Sequence, residues 1–267
     1  MKRLTGFLLI GIGVVILLVS LLSFFQLDRS SEEEQVERSI DDYKAIELAS
    51  TAVDWNIEPY DGDELFVSLS DSNRNRYFNV TERRKSIEIE VKERGFSLFN
   101  FNFFSEPATA TVYLPESYHE NVSIETVSGK VLLYGNYELQ SLDASTVSGK
   151  INIEQLESEQ ANLNTVSGAI AVEAFSGNLR SDTVSGNTSI QYIDENQDAT
   201  IESVSGRIEL TVPEANAFVS FNTISGNWQI EQTLTEQSLQ KRRISGKIGE
   251  GLYEISISTT SGNLYID

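Results

Sequence analysis

Eight regularly spaced Ser-Gly pairs lie between Ser128 and Gly262, with a ninth, Ser176–Gly177, outside the spacing, and no other feature constrains this chain as tightly. The eight are Ser128–Gly129, Ser148–Gly149, Ser167–Gly168, Ser185–Gly186, Ser205–Gly206, Ser225–Gly226, Ser245–Gly246 and Ser261–Gly262. Successive glycines are 20, 19, 18, 20, 20, 20 and 16 residues apart. A period near twenty marks a solenoid or a repeat array. Around each pair, alternate residues are apolar or small, as in Val122, Ile124 and Thr126 before the first pair and Val131 and Leu133 after it. The intervening positions are Glu, Asn, Ser, Gln and Lys. Period two with β-branched residues predicts strands with one face buried and one wet. Apolar residues at helical spacing, which leucine-rich and tetratricopeptide repeats require, are absent.

The Ser-Gly pair itself is expected to be a corner. Alternation breaks there, glycine can adopt a left-handed backbone angle, and serine can hydrogen-bond a neighbouring backbone group. The Val or Ile before each serine, from Val127 to Ile244, is expected to plug the inside of the corner, and Asn187, Asn227 and Asn263 after the glycine tolerate the same angles. A nucleophile elbow would need G-x-S-x-G with His and acid partners, and a P-loop would need an upstream glycine and a following hydroxyl. Neither pattern surrounds these serines. The predicted fold is therefore all-β: a single-stranded parallel β-helix, right-handed by the usual rule for parallel crossovers, with coils ~4.8 Å apart.

Residues 4–25 carry no charge, follow Lys2 and Arg3, and precede the acidic stretch 28–42. As a helix this run would reach ~33 Å, about the thickness of the bilayer's hydrocarbon. It predicts an uncleaved single-pass anchor over residues 1–27, N-terminus inside and the bulk outside the cytoplasm. A cleaved signal peptide is the rival, but its apolar core is shorter and ends at small residues. Residues 28–42 read as a linker, 43–115 as irregular first coils and cap, and 116–267 as the regular repeats. The segment 96–104 places six bulky apolar residues in nine positions. It reads as a flap over the open end, or as a docking surface.

The composition excludes several chemistries. With no cysteine there is no disulfide, thiolate metal site or cysteine nucleophile. The only histidine, His119, cannot build a multi-histidine zinc site. No calcium-loop motif is present, and no cofactor is expected. A formal charge of −20 argues against nucleic acid and is compatible with attraction of cations or basic polymers.

The stretch 111–131, "TVYLPESYHENVSIETVSGKV", followed by regularly spaced "TVSG" turns, resembles the bacterial putative-adhesin β-strand-repeat family. With an anchor ahead of the repeats, the chain looks most like the membrane-anchored LiaG-type proteins of Gram-positive envelope-stress operons. The resemblance implies an extracytoplasmic β-helix and a link to envelope stress, and no chemistry. One departure stands out. In 237–252, Lys241 and Arg243 fall where other coils have inward apolar residues, and with Arg242 and Lys247 they form a basic cluster in an acidic domain. Pairing with Glu231 and Glu236 is one reading; a site for an anionic envelope polymer is the other. The expected function is a non-enzymatic, membrane-tethered scaffold for an envelope polymer or an envelope-stress membrane protein. The alternative is a glycan-active β-helix enzyme, for which the 40 acidic residues leave carboxylate pairs available.

Overall fold

The computed structural model describes residues 30–33, 35–70, 76–93 and 108–267. The expected anchor at 4–25 and the aromatic segment 96–104 lie outside the described residues. Strands and turns account for everything described, with no helix among these residues, and so none long and apolar enough to cross a membrane.

The first eight strands are β1 (Ser30–Glu33), β2 (Gln35–Ser39), β3 (Ala45–Ser50), β4 (Val53–Tyr60), β5 (Glu64–Ser70), β6 (Arg76–Glu82), β7 (Ser86–Glu93) and β8 (Ala108–Pro115). The repeats supply β9 (Asn121–Thr126), β10 (Val131–Thr146), β11 (Ile151–Ser167), β12 (Ile170–Ser185), β13 (Thr188–Tyr192), β14 (Ala199–Thr211), β15 (Ala217–Thr223) and β16 (Trp228–Ile230). The chain ends with β17 (Thr235–Gln240), β18 (Arg243–Ile248) and β19 (Tyr253–Ile266). Residues Ser31–Asp267 form one compact unit.

Two stacked faces carry the architecture of this unit. The strand segments before the Ser-Gly corner pair in the order β6–β7–β3–β9–β10–β11–β12–β14–β19–β15–β18–β17. Those after it pair in the order β2–β5–β8–β4–β10–β11–β12–β13–β14–β19–β16. From β4 and β9 through β14, equivalent residues meet in parallel register: Val131 with Ile151, Ile151 with Ile170, Ile170 with Thr188. The alternation seen in the sequence thus becomes a continuous apolar interior, with Trp55, Phe175 and Phe221 among its largest fully buried side chains. One coil cannot bury its own inner face; the stack does.

The unequal repeat lengths are absorbed away from the Ser-Gly corners. Leu133 pairs with Ile153 but Asn136 with Gln155, so one residue drops out at Tyr134–Gly135, where Gly135 has a φ of 80°. Ser158 pairs with Gly177 but Gln160 with Asn178, so a second drops out at Glu159.

Three features depart from a simple sequential stack. Strand β19 lies between β14 and the β15–β16 coil: Ser205 and Gly206 pair with Ser261 and Gly262, and Phe221 pairs with Ile257. The last repeat in sequence is therefore not the last in space. Ser245 and Gly246, expected at a corner, instead sit inside β18, which runs antiparallel to β15 and β17. The region 43–115 mixes coil strands (β3, β4) with antiparallel pairings, β5 with β8 and β6 with β7. It ends the stack with a different hydrogen-bond pattern rather than with worn copies of the repeat.

Candidate functional site

The corners are built by threonine and glycine, and the reasons differ from those the sequence suggests. Gly129 faces the carbonyl oxygen of Val53, and each later corner glycine faces the carbonyl oxygen of the glycine in the adjacent coil. A Cβ on Gly149 would lie 1.7 Å from Gly129 O, on Gly168 1.7 Å from Gly149 O, and on Gly186 1.6 Å from Gly168 O. The same holds for Gly206 over Gly186 and for Gly226 over Gly262. Of the eight regularly spaced Ser-Gly glycines only Gly206 has a positive φ, 142°. Close approach of stacked backbones, not a left-handed angle, demands glycine here. Gly246 lies off this column, with Thr235 O 3.1 Å from its would-be Cβ.

The hydroxyl that ties the turn belongs to the threonine. Gly149 N–H donates to Thr146 Oγ1 (3.0 Å), which donates to Gly129 O (3.1 Å); Gly129 N–H donates to Thr126 Oγ1 (3.1 Å). The serines at 128, 148, 167, 185, 205, 225 and 261 are exposed, and the valines expected inside the corner (127, 147, 166, 184 and 204) are half-buried on its outer side. The strand residue before each of these valines, mostly Thr, points inward, so the Val that follows it points away. The asparagines bond the neighbouring coil, Asn187 Oδ1 accepting from Arg207 N (3.0 Å) and Asn263 Oδ1 from Asn227 N (3.0 Å). Even the first corner, Ser50–Thr51–Ala52, follows the plan without Ser-Gly: Ser50 Oγ donates to Thr126 Oγ1 (3.0 Å) and accepts from Trp55 Nε1 (3.0 Å). These residues are architecture.

The basic cluster is a different matter. Lys241 and Arg242 form the turn of the β17–β18 hairpin, and Arg243 begins β18. All three are exposed. The Arg242 carbonyl accepts from Thr223 N (2.9 Å), which fixes the turn to β15. Lys247 pairs with Glu236 (2.9 Å), as one sequence reading anticipated. Glu231 instead accepts from Gln229 Nε2 (3.1 Å). Among the described residues Lys241, Arg242 and Arg243 form no ion pair, so three successive exposed cations stand unpaired at the hairpin tip. The hairpin itself is wet: every residue of β17 is exposed, Leu239 at 58%.

A second surface was not visible in the sequence because four strands contribute to it. Glu37 on β2 pairs with Phe66 on β5, Phe66 with Tyr113 on β8, and Tyr113 with Glu58 on β4. Glu37, Phe66 and Tyr113, together with Tyr60, Asp63 and Glu64, border a cleft of about 610 Å³.

For a glycan-cleaving enzyme, the carboxyl to look for is one held protonated beside an ionised partner. Glu88, buried on β7, has its pKa raised, chiefly by burial, against the lowering influence of Arg83 at 3.2 Å. Its cross-strand neighbour Glu47 lies 3.9 Å from the same guanidinium. Both carboxylates are thus tied up in one ion-pair network, which suits a structural role. His119 is exposed, with Nδ1 2.9 Å from Glu138 O, a bond between neighbouring coils. Among the described residues no group of three or more His, Asp or Glu is placed to hold a metal.

A family model described as Toastrack DUF4097 matches residues 43–267. No curated protein matches the sequence. Similar solved structures include a putative cell adhesion protein from Clostridium sporogenes, 13% identical over 89% of this chain and 99% of that one, with a TM-score of 0.42. Others are putative adhesins from Bacteroides fragilis (10% identity, 90% and 98% coverage, TM-score 0.41) and Parabacteroides distasonis (13%, 90% and 97%, 0.39).

Proposed function

The chain belongs to the Toastrack DUF4097 family, and from that premise we propose that it is a non-enzymatic scaffold that binds an anionic polymer of the cell envelope through the tip of the β17–β18 hairpin. The observation that carries this reading is the exposed trio Lys241, Arg242 and Arg243, which has no ion-pair partner among the described residues of a chain whose net charge is −20. An acidic surface repels a polyanion away from its basic clusters, so charge bears on where the polymer docks as well as whether it does. Polyanions with regular phosphate or carboxylate spacing suit guanidinium forks, which bind them two oxygens at a time. The stacked coils supply the stiffness that holds the tip in place. The uncharged run at 4–25 supports a tether to the cytoplasmic membrane with the repeats outside. The likeness to LiaG-type proteins supports a place in the envelope-stress response.

The test is co-sedimentation of the full-length chain, in a non-ionic detergent, with purified wall teichoic acid or peptidoglycan. Replacing Arg242 and Arg243 together by Glu should abolish retention and leave the folded spectrum intact. Undiminished retention would remove the hairpin from the function. Release of soluble product from the polymer would replace the scaffold by an enzyme.

A further inference from the structure

At the opposite end of the stack from the hairpin, the cleft between β2, β4, β5 and β8 combines three features. The first is a set of aromatic walls. Phe66 and Tyr113 are cross-strand neighbours with ring centroids 5.8 Å apart at 33°, and Tyr60 meets Tyr113 edge-on at 6.2 Å and 77°. All three are half-buried, so each keeps part of a ring open to solvent.

The second is rigidity. The Tyr60 hydroxyl donates to the carbonyl of Glu64 across the β4–β5 turn. Its backbone carbonyl accepts from both Gly62 N and Glu116 N, each at 3.1 Å. Gly62 lies so close to the ring that a Cβ there would come within 2.2 Å of it. The turn is thus folded onto the ring, and Tyr60 stands as a fixed wall before any ligand arrives.

The third is charge. Glu37, Asp63 and Glu64 border the cleft, and none of the three carboxylates has an ion-pair partner among the described residues. Glu37 and Phe66 share one cross-strand row with Tyr113 and Glu58, so an aromatic pair is bracketed by acid at each end. Among the described residues no Lys or Arg borders the cleft.

An aromatic ring presents a negative face, and a cation placed over it near a carboxylate is attracted by both. A small inorganic cation gains little from ring faces, while a neutral sugar leaves the three charges unanswered. The geometry points to an organic cation, an alkylammonium or guanidinium group, bound in the Tyr60–Phe66–Tyr113 cleft. Such a group could be free or carried on a longer chain. The site is distinct from the hairpin, whose preference is for the opposite charge.

The experiment is calorimetric titration of the full-length chain in non-ionic detergent with choline, with its neutral isostere 3,3-dimethyl-1-butanol, and with tetralysine. Choline or tetralysine should bind at least about tenfold more tightly than the isostere, the gap expected where ring faces and carboxylates act together. The tighter of the two tells a free cation from a chain-borne one. Binding should weaken as NaCl rises from about 50 to about 500 mM. Phe66→Leu keeps an apolar side chain but removes the π face, and should weaken choline binding several-fold. Asp63→Asn with Glu64→Gln should do the same without disturbing the strands. Equal binding of choline and its isostere, no binding of either cation, or binding unaffected by both variants would overturn the proposal. Arg242→Glu with Arg243→Glu should leave cation binding unchanged, so failure of the polymer site and failure of this one are told apart.

Discussion

Gly149 sits directly over the carbonyl oxygen of Gly129, and a Cβ added to it would come within 1.7 Å of that oxygen. No rotamer relieves such a clash, because a Cβ has none, so the two coils would have to separate. Gly149→Ala should destabilise the fold by about 2–3 kcal/mol, the upper part of the range for overpacking. In a domain of this size that lowers Tm by roughly 5–10 °C. Gly246→Ala is the control. It carries the same Ser-Gly signature, but in β18 its nearest obstacle is Thr235 O at 3.1 Å, so it should stay within about 0.5 kcal/mol of the parent. Thermal unfolding of the two variants checks this, and equal losses would mean that the glycine column is not what fixes the coil spacing.

Thr146 and Thr183 occupy the same place in different repeats yet should respond oppositely to valine. Thr146 Oγ1 accepts from Gly149 N and donates to Gly129 O, both inside the stack. Thr146→Val leaves that N–H without its partner, which should lower stability by about 1–3 kcal/mol. Thr183 Oγ1 is buried without a protein partner, because Gly186 N–H donates instead to Ser205 O (3.1 Å). Thr183→Val removes a buried hydroxyl that serves no bond, and should be neutral or stabilising. Denaturant unfolding of the two variants side by side measures the difference in sign.

The strands and their stacking were legible in the sequence because alternation and period are local signals. The meaning of the corner was less so. Glycine answers two physical demands, a positive φ and a close approach, and the letter alone does not say which; only Gly206 among the corner glycines has the first. Serine looked like the turn's hydroxyl because it adjoins glycine, whereas Thr146, three residues ahead of Gly149, faces inward and does the bonding. The interleaving of β19 was hidden because "TSGNLYI" reads like any other coil. The clue was Lys241 and Arg243 at inward positions, which disqualified that repeat from the stack. The hairpin cations were visible because they adjoin one another. The aromatic cleft was not, since Glu37, Tyr60, Phe66 and Tyr113 meet only through pairing of four strands.

Burial raises the pKa of Glu88, so this carboxyl binds its proton more readily in the folded chain than in the unfolded one. Between the unfolded and folded pKa the folded state then holds more protons, and stability falls as pH rises through that window. Below the window both states are protonated and the penalty vanishes. Glu88→Gln should therefore raise Tm at about pH 7 and change it little at about pH 4. A rise of equal size at both pH values would assign the effect to packing rather than to the buried charge.

The position of β19 makes the C-terminus a structural insert rather than an end. On one face it pairs with β14 from Ala199–Ile255 to Leu210–Ile266, and on its other side it pairs with β15 and β16. Ending the chain at residue 252 would thus open a gap inside the stack. It would expose the inner edges of β14 and of β15 together, along with apolar residues such as Ile201, Leu210 and Phe221 that are fully buried in the intact protein. A sequential solenoid would behave differently, losing one terminal coil and keeping its neighbours. Hydrogen exchange on a chain stopped at residue 252 distinguishes the two. Amides of 199–211 and 217–223 should lose protection as a group, while those of β10 and β11, several coils away, keep theirs. The β17–β18 hairpin hangs on β15, so polymer retention should be lost in the same variant although Lys241, Arg242 and Arg243 are all still present. Retained protection in β14 would show that it does not need β19 at its edge.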